Sequence, residues 1–188
     1  MWRNRPMRRN PQGCVQVEME KGRRAVPEEI FASTAQADLI RQLFINLLRE
    51  GQAIRSWTVG ESMSPCIKKG DCLTVRPIAF EEAGIGDIVA YRRNESQSVL
   101  TNHRVIRKGK DRGQRYLITK GDRNVYRDFP LVCPQDVLGK VVSIERNGRV
   151  TSLETPFYRL LGTLKARLSL GLWILHVLKR KIPLLHNR

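Results

Sequence analysis

Six short β-favouring runs are packed end to end between residues 56 and 153: SWTV (56–59), DCLTVRP (71–77), DIVAYRR (87–93), SVLTNHRVIRK (98–108), RYLITKG (115–121) and VLGKVVSIERNGRVTSL (137–153). Breaks containing Gly, Pro or Asn separate them, and Asn147-Gly148 inside the last run is a hairpin signal. Such spacing leaves no room for the crossover helices that parallel strands need. The expectation is a mainly β fold, with a coiled antiparallel sheet or small barrel.

Helical patterns flank these runs on both sides. In STAQADLIRQLFINLLREG, Ala37, Ile40, Phe44 and Leu47 recur at helical spacing and Leu43 and Leu48 widen the stripe. Ser33 or Thr34 can cap the start and Gly51 can end it. At the other end, Thr155-Pro156 reads as an N-cap with proline in the first turn, and Pro183 as a stop. Leu161, Leu164, Leu168, Leu172 and Leu175 form one stripe of that helix, and Leu170, Trp173, Ile174 and Val177 make its other side apolar too. The uncharged stretch LSLGLWILHVL is too short to span a bilayer. Three parts are expected: a mobile basic arm over 1–31, a domain with its leading helix over 32–153, and a basic amphipathic tail over 154–188.

Charge bounds the partners. The 188 residues carry 34 Lys and Arg against 18 Asp and Glu, a formal net charge of +16, which calls for an anionic neighbour. No acid lies within 156–188, so residues 156–182 fit an anionic membrane surface; nucleic acid is the lesser alternative. The start, MWRNRPMRRNPQG, is basic, yet no apolar run follows it. Neither a signal peptide nor an N-terminal transmembrane helix is expected, which makes the cytoplasm the default compartment, with a peripheral membrane position for the tail. Cys14, Cys66, Cys72 and Cys133 form no C-x-x-C pair and alternate with no histidine. Reduced thiols are expected, and neither a metal nor a cofactor.

The loop VGESMSPCIKKGD (59–71) holds two serines, and a serine hydroxyl is a poor nucleophile until a base takes its proton. Three histidines are available. His176 and His186 fall in the C-terminal helical region, whereas His103 lies in a strand run, on the face it shares with Thr101 and Val105. A hydrogen-bonded core histidine and a catalytic base both suit that position.

GESMSP, GDIVAYR, NHRVI, TKGDRN and LGKV, in this order over about residues 56 to 145, resemble the successive motif blocks of type I signal peptidases. The resemblance is to the endoplasmic-reticulum branch and its relatives, in which histidine replaces lysine as the base. It implies a serine endopeptidase that cleaves a leader or precursor peptide. Ser62 of S-M-x-P would be the nucleophile, with Met63 and Pro65 its motif partners; His103 would be the base, Asp128 would orient it, and Asp122 would support the site. Lys120 is the rival base, as in Ser–Lys enzymes, but it sits in the T-K-G-D block. Two positions depart from the family pattern. Gly60 stands where serine is usual, removing a hydroxyl that helps the oxyanion, and Glu61 replaces a small residue. The usual N-terminal membrane anchor is replaced by the polar-faced helix at 35–50. The alternatives are a LexA-like self-cleaving regulator that binds nucleic acid, and a non-catalytic homologue that binds a membrane or partner.

Overall fold

A computed structural model describes residues 34–94 and 97–181. The arm over 1–31 with Cys14, the Ser33 cap, the Pro183 stop and His186 lie outside the described residues, as do the side chains of Leu170, Leu172, Trp173, Ile174, Leu175, His176 and Val177.

The chain runs α1 (Thr34–Arg49), β1 (Ile54–Trp57), β2 (Cys72–Pro77), β3 (Ile88–Asn94), β4 (Gln97–Asp111), β5 (Gln114–Lys120), β6 (Val137–Arg146), β7 (Arg149–Ser152) and α2 (Pro156–Lys181), with short 3₁₀ turns at Phe80–Glu82 and Pro134–Asp136. All seven strands pair antiparallel in one sheet ordered β1-β2-β6-β3-β4-β5, with β7 beside β6. The antiparallel sheet foreseen above is present, but the path ends on β1 and β5, so the barrel alternative is corrected to an open sheet. Long β6 accounts for this. Its first half pairs with β3 and its second half with β7, while β2 runs along its other edge. Asn147 (φ 52°) and Gly148 (φ 76°) make the two-residue turn between β6 and β7, and Arg112 (φ 46°) and Gly113 (φ 87°) make the equivalent turn between β4 and β5.

Two apolar clusters cover the sheet near the strand ends that matter. One joins Leu73, Val75, Val141 and Ile144 to Ile45 and Leu48 of α1. The other joins Val89, Tyr91, Val105 and Leu117. In α1 the side facing the sheet runs through Phe44, Ile45 and Leu48; Ile40 and Leu43 remain 52% and 41% exposed, contrary to the stripe inferred from spacing. The short link from the helix to β1 fixes this rotation. It begins with Gln52 N–H on Leu47 O and Gly51 N–H on Leu48 O, the paired bonds of a helix C-cap.

The start of α2 matches its N-cap signal, with Tyr158 N–H on Thr155 Oγ1 at 3.4 Å. Its packing face was not anticipated. Leu164 and Leu168 are 49% and 67% exposed, while fully buried Ala166 packs on Ile106 and Ile118. The reason is proximity: a Cβ on Gly162 would lie 2.7 Å from Gly86 O, and one on Gly86 would lie 2.5 Å from Thr163 N. Only small residues fit a helix seated this close to the backbone. Among the described residues, no helix is long and apolar enough to cross a membrane. Cys66, Cys72 and Cys133 carry free thiols.

Candidate active site

Alternation along β4 decides what each of its side chains meets. His103 pairs with Val89 of β3, so it shares the face of Val89, Tyr91 and Val105 and is 5% exposed. Arg104 points to the opposite face, beneath α2, and is buried as well.

On the His103 face three sequence-distant residues meet. Ser62 Oγ lies 2.8 Å from His103 Nε2, and His103 Nδ1 lies 2.7 Å from Asp128 Oδ2. The same carboxylate oxygen accepts the hydroxyls of Thr119 (2.8 Å) and Tyr91 (3.1 Å). With the carboxylate ionised, Nδ1–H donates to Asp128, which leaves the Nε2 lone pair directed at the serine hydroxyl. Burial pushes Asp128 up, but the hydrogen bond and charge of His103, then the Thr119 and Tyr91 hydroxyls, outweigh it and hold the carboxyl below its usual value. Burial and the Asp128 charge push the Tyr91 phenol up, so it stays protonated and donates.

Two loops carry the serine and the acid. Ser62 sits in a turn closed by Ser64 N–H on Glu61 O and Ile67 N–H on Met63 O, bonds that leave its own N–H free of the turn. Met63 is buried among the core residues and pins the loop, while Pro65 is exposed. Arg123 N–H donates to Ser62 O at 2.9 Å, tying this loop to the turn after β5. A Cβ on Gly121 would meet Ser62 O at 2.6 Å, so that approach requires glycine. Asp128 N–H returns to Thr119 O at 2.8 Å, which seats the acid beside β5.

The remaining candidates fall around this core. Asp122 holds Arg104 through two bonds of 2.7 Å, and Arg104 also donates to Gly86 O, so Asp122 braces the far face of β4. Glu61 points outward to Arg123 at 2.5 Å, with both side chains more than half exposed. Gly60 has open space where a Cβ would stand. Burial pushes Lys120 down, yet its Nζ is held by the carbonyls of Asn124 (2.5 Å) and Gly121 (3.3 Å). Tyr91, Thr119 and Gly121 were missed by the sequence reading. Tyr91 was recoverable from period-2 spacing with Val89; Thr119 has no local signal, because its partner comes from a later loop.

A groove of about 450 Å³ opens beside Ser62 and His103, with Phe44, Trp57, Met63 and Leu100 among its walls. Among the described residues, no cluster of His, Cys, Asp and Glu is arranged to hold a metal ion.

No protein-family model matches the chain. Over 70 residues, 37% of its length, it is 34% identical to the signal peptidase complex catalytic subunit SEC11 of Clavispora lusitaniae. That stretch covers 41% of the Clavispora lusitaniae protein, well short of its whole length. Over this partial stretch the chain is similar to a signal peptidase catalytic subunit.

Proposed function

We propose that the chain is a serine endopeptidase of the signal-peptidase type, cleaving a leader or precursor peptide. The observation that carries this reading is the continuous relay from Ser62 Oγ through His103 to Asp128, with hydrogen-bond distances of 2.8 and 2.7 Å. A peptide lies in the groove with its scissile carbonyl over Ser62. The Ser62 oxygen attacks while His103 Nε2 takes its proton, and the negative charge that develops on the carbonyl oxygen is met by backbone N–H groups, that of Ser62 among them. His103 then gives the proton to the leaving amine, and water enters by the same route to release the acyl group from Ser62. Asp128 holds the imidazole in the required tautomer and stabilises its charged form; Thr119 and Tyr91 fix Asp128 in turn.

Further support comes from the surroundings. Asn102 lines the groove, and its Oδ1 atom is buried without a donor among the described residues. Glu61, neutralised by Arg123, keeps its charge away from the reacting carbonyl. Incubation with a peptide library tests the reading. Cleavage after small residues is expected from the intact protein and none from Ser62→Ala; cleavage undiminished by that substitution refutes it.

A second reading concerns α2. Phe157, Leu160, Leu164 and Leu168 are 68%, 61%, 49% and 67% exposed and line up on the face turned away from the sheet. With no acid on the tail, this stripe suits the interface of an anionic membrane.

A further inference from the structure

Between α2 and the β6–β7 hairpin lies a second cavity, of about 720 Å³, on the face of the sheet opposite His103. Six cations line it against one acid: Arg104, Lys140, Arg146, Arg149, Arg159 and Lys165 against Asp87. Three of them are already neutralised. Lys140 pairs with Asp87, Arg104 with Asp122, and Arg146 with Asp71. The other three, Arg149, Arg159 and Lys165, have no acidic partner among the described residues. They converge on one space from two elements, the hairpin and the helix.

Three cations without an acidic partner line one cavity, and an anion bound there would be met by all three charges. Two arginines and a lysine suit a phosphoryl group, which accepts forked guanidinium bonds and a point charge together. The rest of the wall is apolar, with Val141, Ile144, Leu153 and Leu161 in it. Leu161 and Lys165 stand on α2 between the buried face and the exposed stripe of Phe157, Leu160, Leu164 and Leu168. The cavity therefore borders the apolar stripe along Leu161 and Lys165.

We propose that this cavity binds the phosphoryl headgroup of an anionic phospholipid, with Arg149, Arg159 and Lys165 on the phosphate and the apolar wall along the start of the acyl chains. The assignment deepens the membrane reading of α2 and is independent of the peptidase reading. It differs from general adhesion of a basic protein to acidic surfaces because it predicts a stoichiometric site that works without a bilayer.

The test uses the full chain and short-chain phosphatidylglycerol below its micelle concentration, followed by calorimetry, with glycerol phosphate as the soluble counterpart. One lipid per chain is expected. Replacing Arg149, Arg159 and Lys165 together with Gln should weaken binding at least about tenfold, since each removes a charge-assisted bond. None of the three has a described partner to lose, so circular dichroism should be unchanged; Arg159→Glu alone is the second variant and should weaken binding in the same direction. Replacing Arg107, Lys110 and Arg112 of the β4–β5 hairpin with Gln removes the same charge elsewhere and should leave affinity within about twofold. Equal weakening by both triple variants, or no binding of the lipid, overturns the site. Glycerol phosphate binding as tightly as the lipid overturns the lipid assignment in favour of a soluble phosphate ester. Failure of the protein to sediment with vesicles while the short-chain lipid still binds would count against insertion of the stripe and leave the headgroup site standing.

Discussion

At Asp128 one carboxylate oxygen takes three donors, His103 Nδ1, Thr119 Oγ1 and Tyr91 OH, in a site that is 8% exposed. Because its carboxyl is held below its ordinary value of 3.8, Asp128 binds a proton more weakly in the folded chain than in the unfolded one. Its contribution to stability is therefore complete above the unfolded value and is lost as pH falls through the folded one. Urea midpoints of the intact protein should drop more steeply below about pH 4 than those of Asp128→Asn; parallel curves would contradict this. The same substitution should lower the cleavage rate by about 10²- to 10⁴-fold, because His103 loses the partner that selects its tautomer. Gly60 supplies the opposite kind of test. Nothing stands where its Cβ would go, so Gly60→Ser should fold unchanged and raise kcat, if the added hydroxyl reaches the oxyanion. A fall in kcat would mean that this position serves the substrate rather than the charge. Ser62, His103, Asp128 and Asp122 were all picked out from motif blocks, and the structure brings the first three together. Period-2 reasoning alone placed His103 on the apolar face and left its role open, since partner distance depends on two loops whose closure no local pattern encodes.

Among the elements, strands were more legible than helix faces. The six β-favouring runs match the strands within a few residues, the last one folding into β6 and β7 at Asn147-Gly148. Turn chemistry and β-branched content act locally, so they can be read from neighbours in sequence. A helix face depends on what packs against it. In α2 Leu160, Leu164 and Leu168 look outward, while Gly162 and Ala166 seat the helix on Gly86 and Ile106, a small-residue spacing that apolar periodicity undervalues. Gly86→Ala should thus unseat the start of α2. Its φ of +95° already disfavours a side chain, and the new methyl would press on the backbone of Gly162 and Thr163. A loss of about 1–3 kcal/mol is expected by chemical denaturation; a loss below about 0.5 kcal/mol would mean that α2 sits less tightly than described.

For the whole molecule, the distribution of charge matters more than its total. A net +16 drew attention to an anionic partner, yet many of the cations near the site are matched: Arg104 by Asp122, Lys140 by Asp87, Arg146 by Asp71. Three that are not matched, Arg149, Arg159 and Lys165, line the cavity against α2, a helix that also carries an exposed apolar stripe. Leu160→Ser combined with Leu164→Ser should abolish sedimentation with anionic vesicles while thermal unfolding stays the same, because both side chains are already in water. Retained sedimentation would assign the adhesion to charge alone, which added salt would then reverse. The sheet stands between the two faces: β4 carries His103 on one side and Arg104 on the other, so the proposed chemistry and the proposed membrane contact share a strand. The central claim is that Ser62 and His103 act as one unit. The most direct measurement is kcat/KM for a cleaved peptide in the intact protein, in Ser62→Ala, in His103→Ala and in the double variant. Each single change should cost roughly 10⁴-fold or more and the double change no more than either. Activity that survives His103→Ala but is lost on Lys120→Met, or costs that multiply in the double variant, would contradict it.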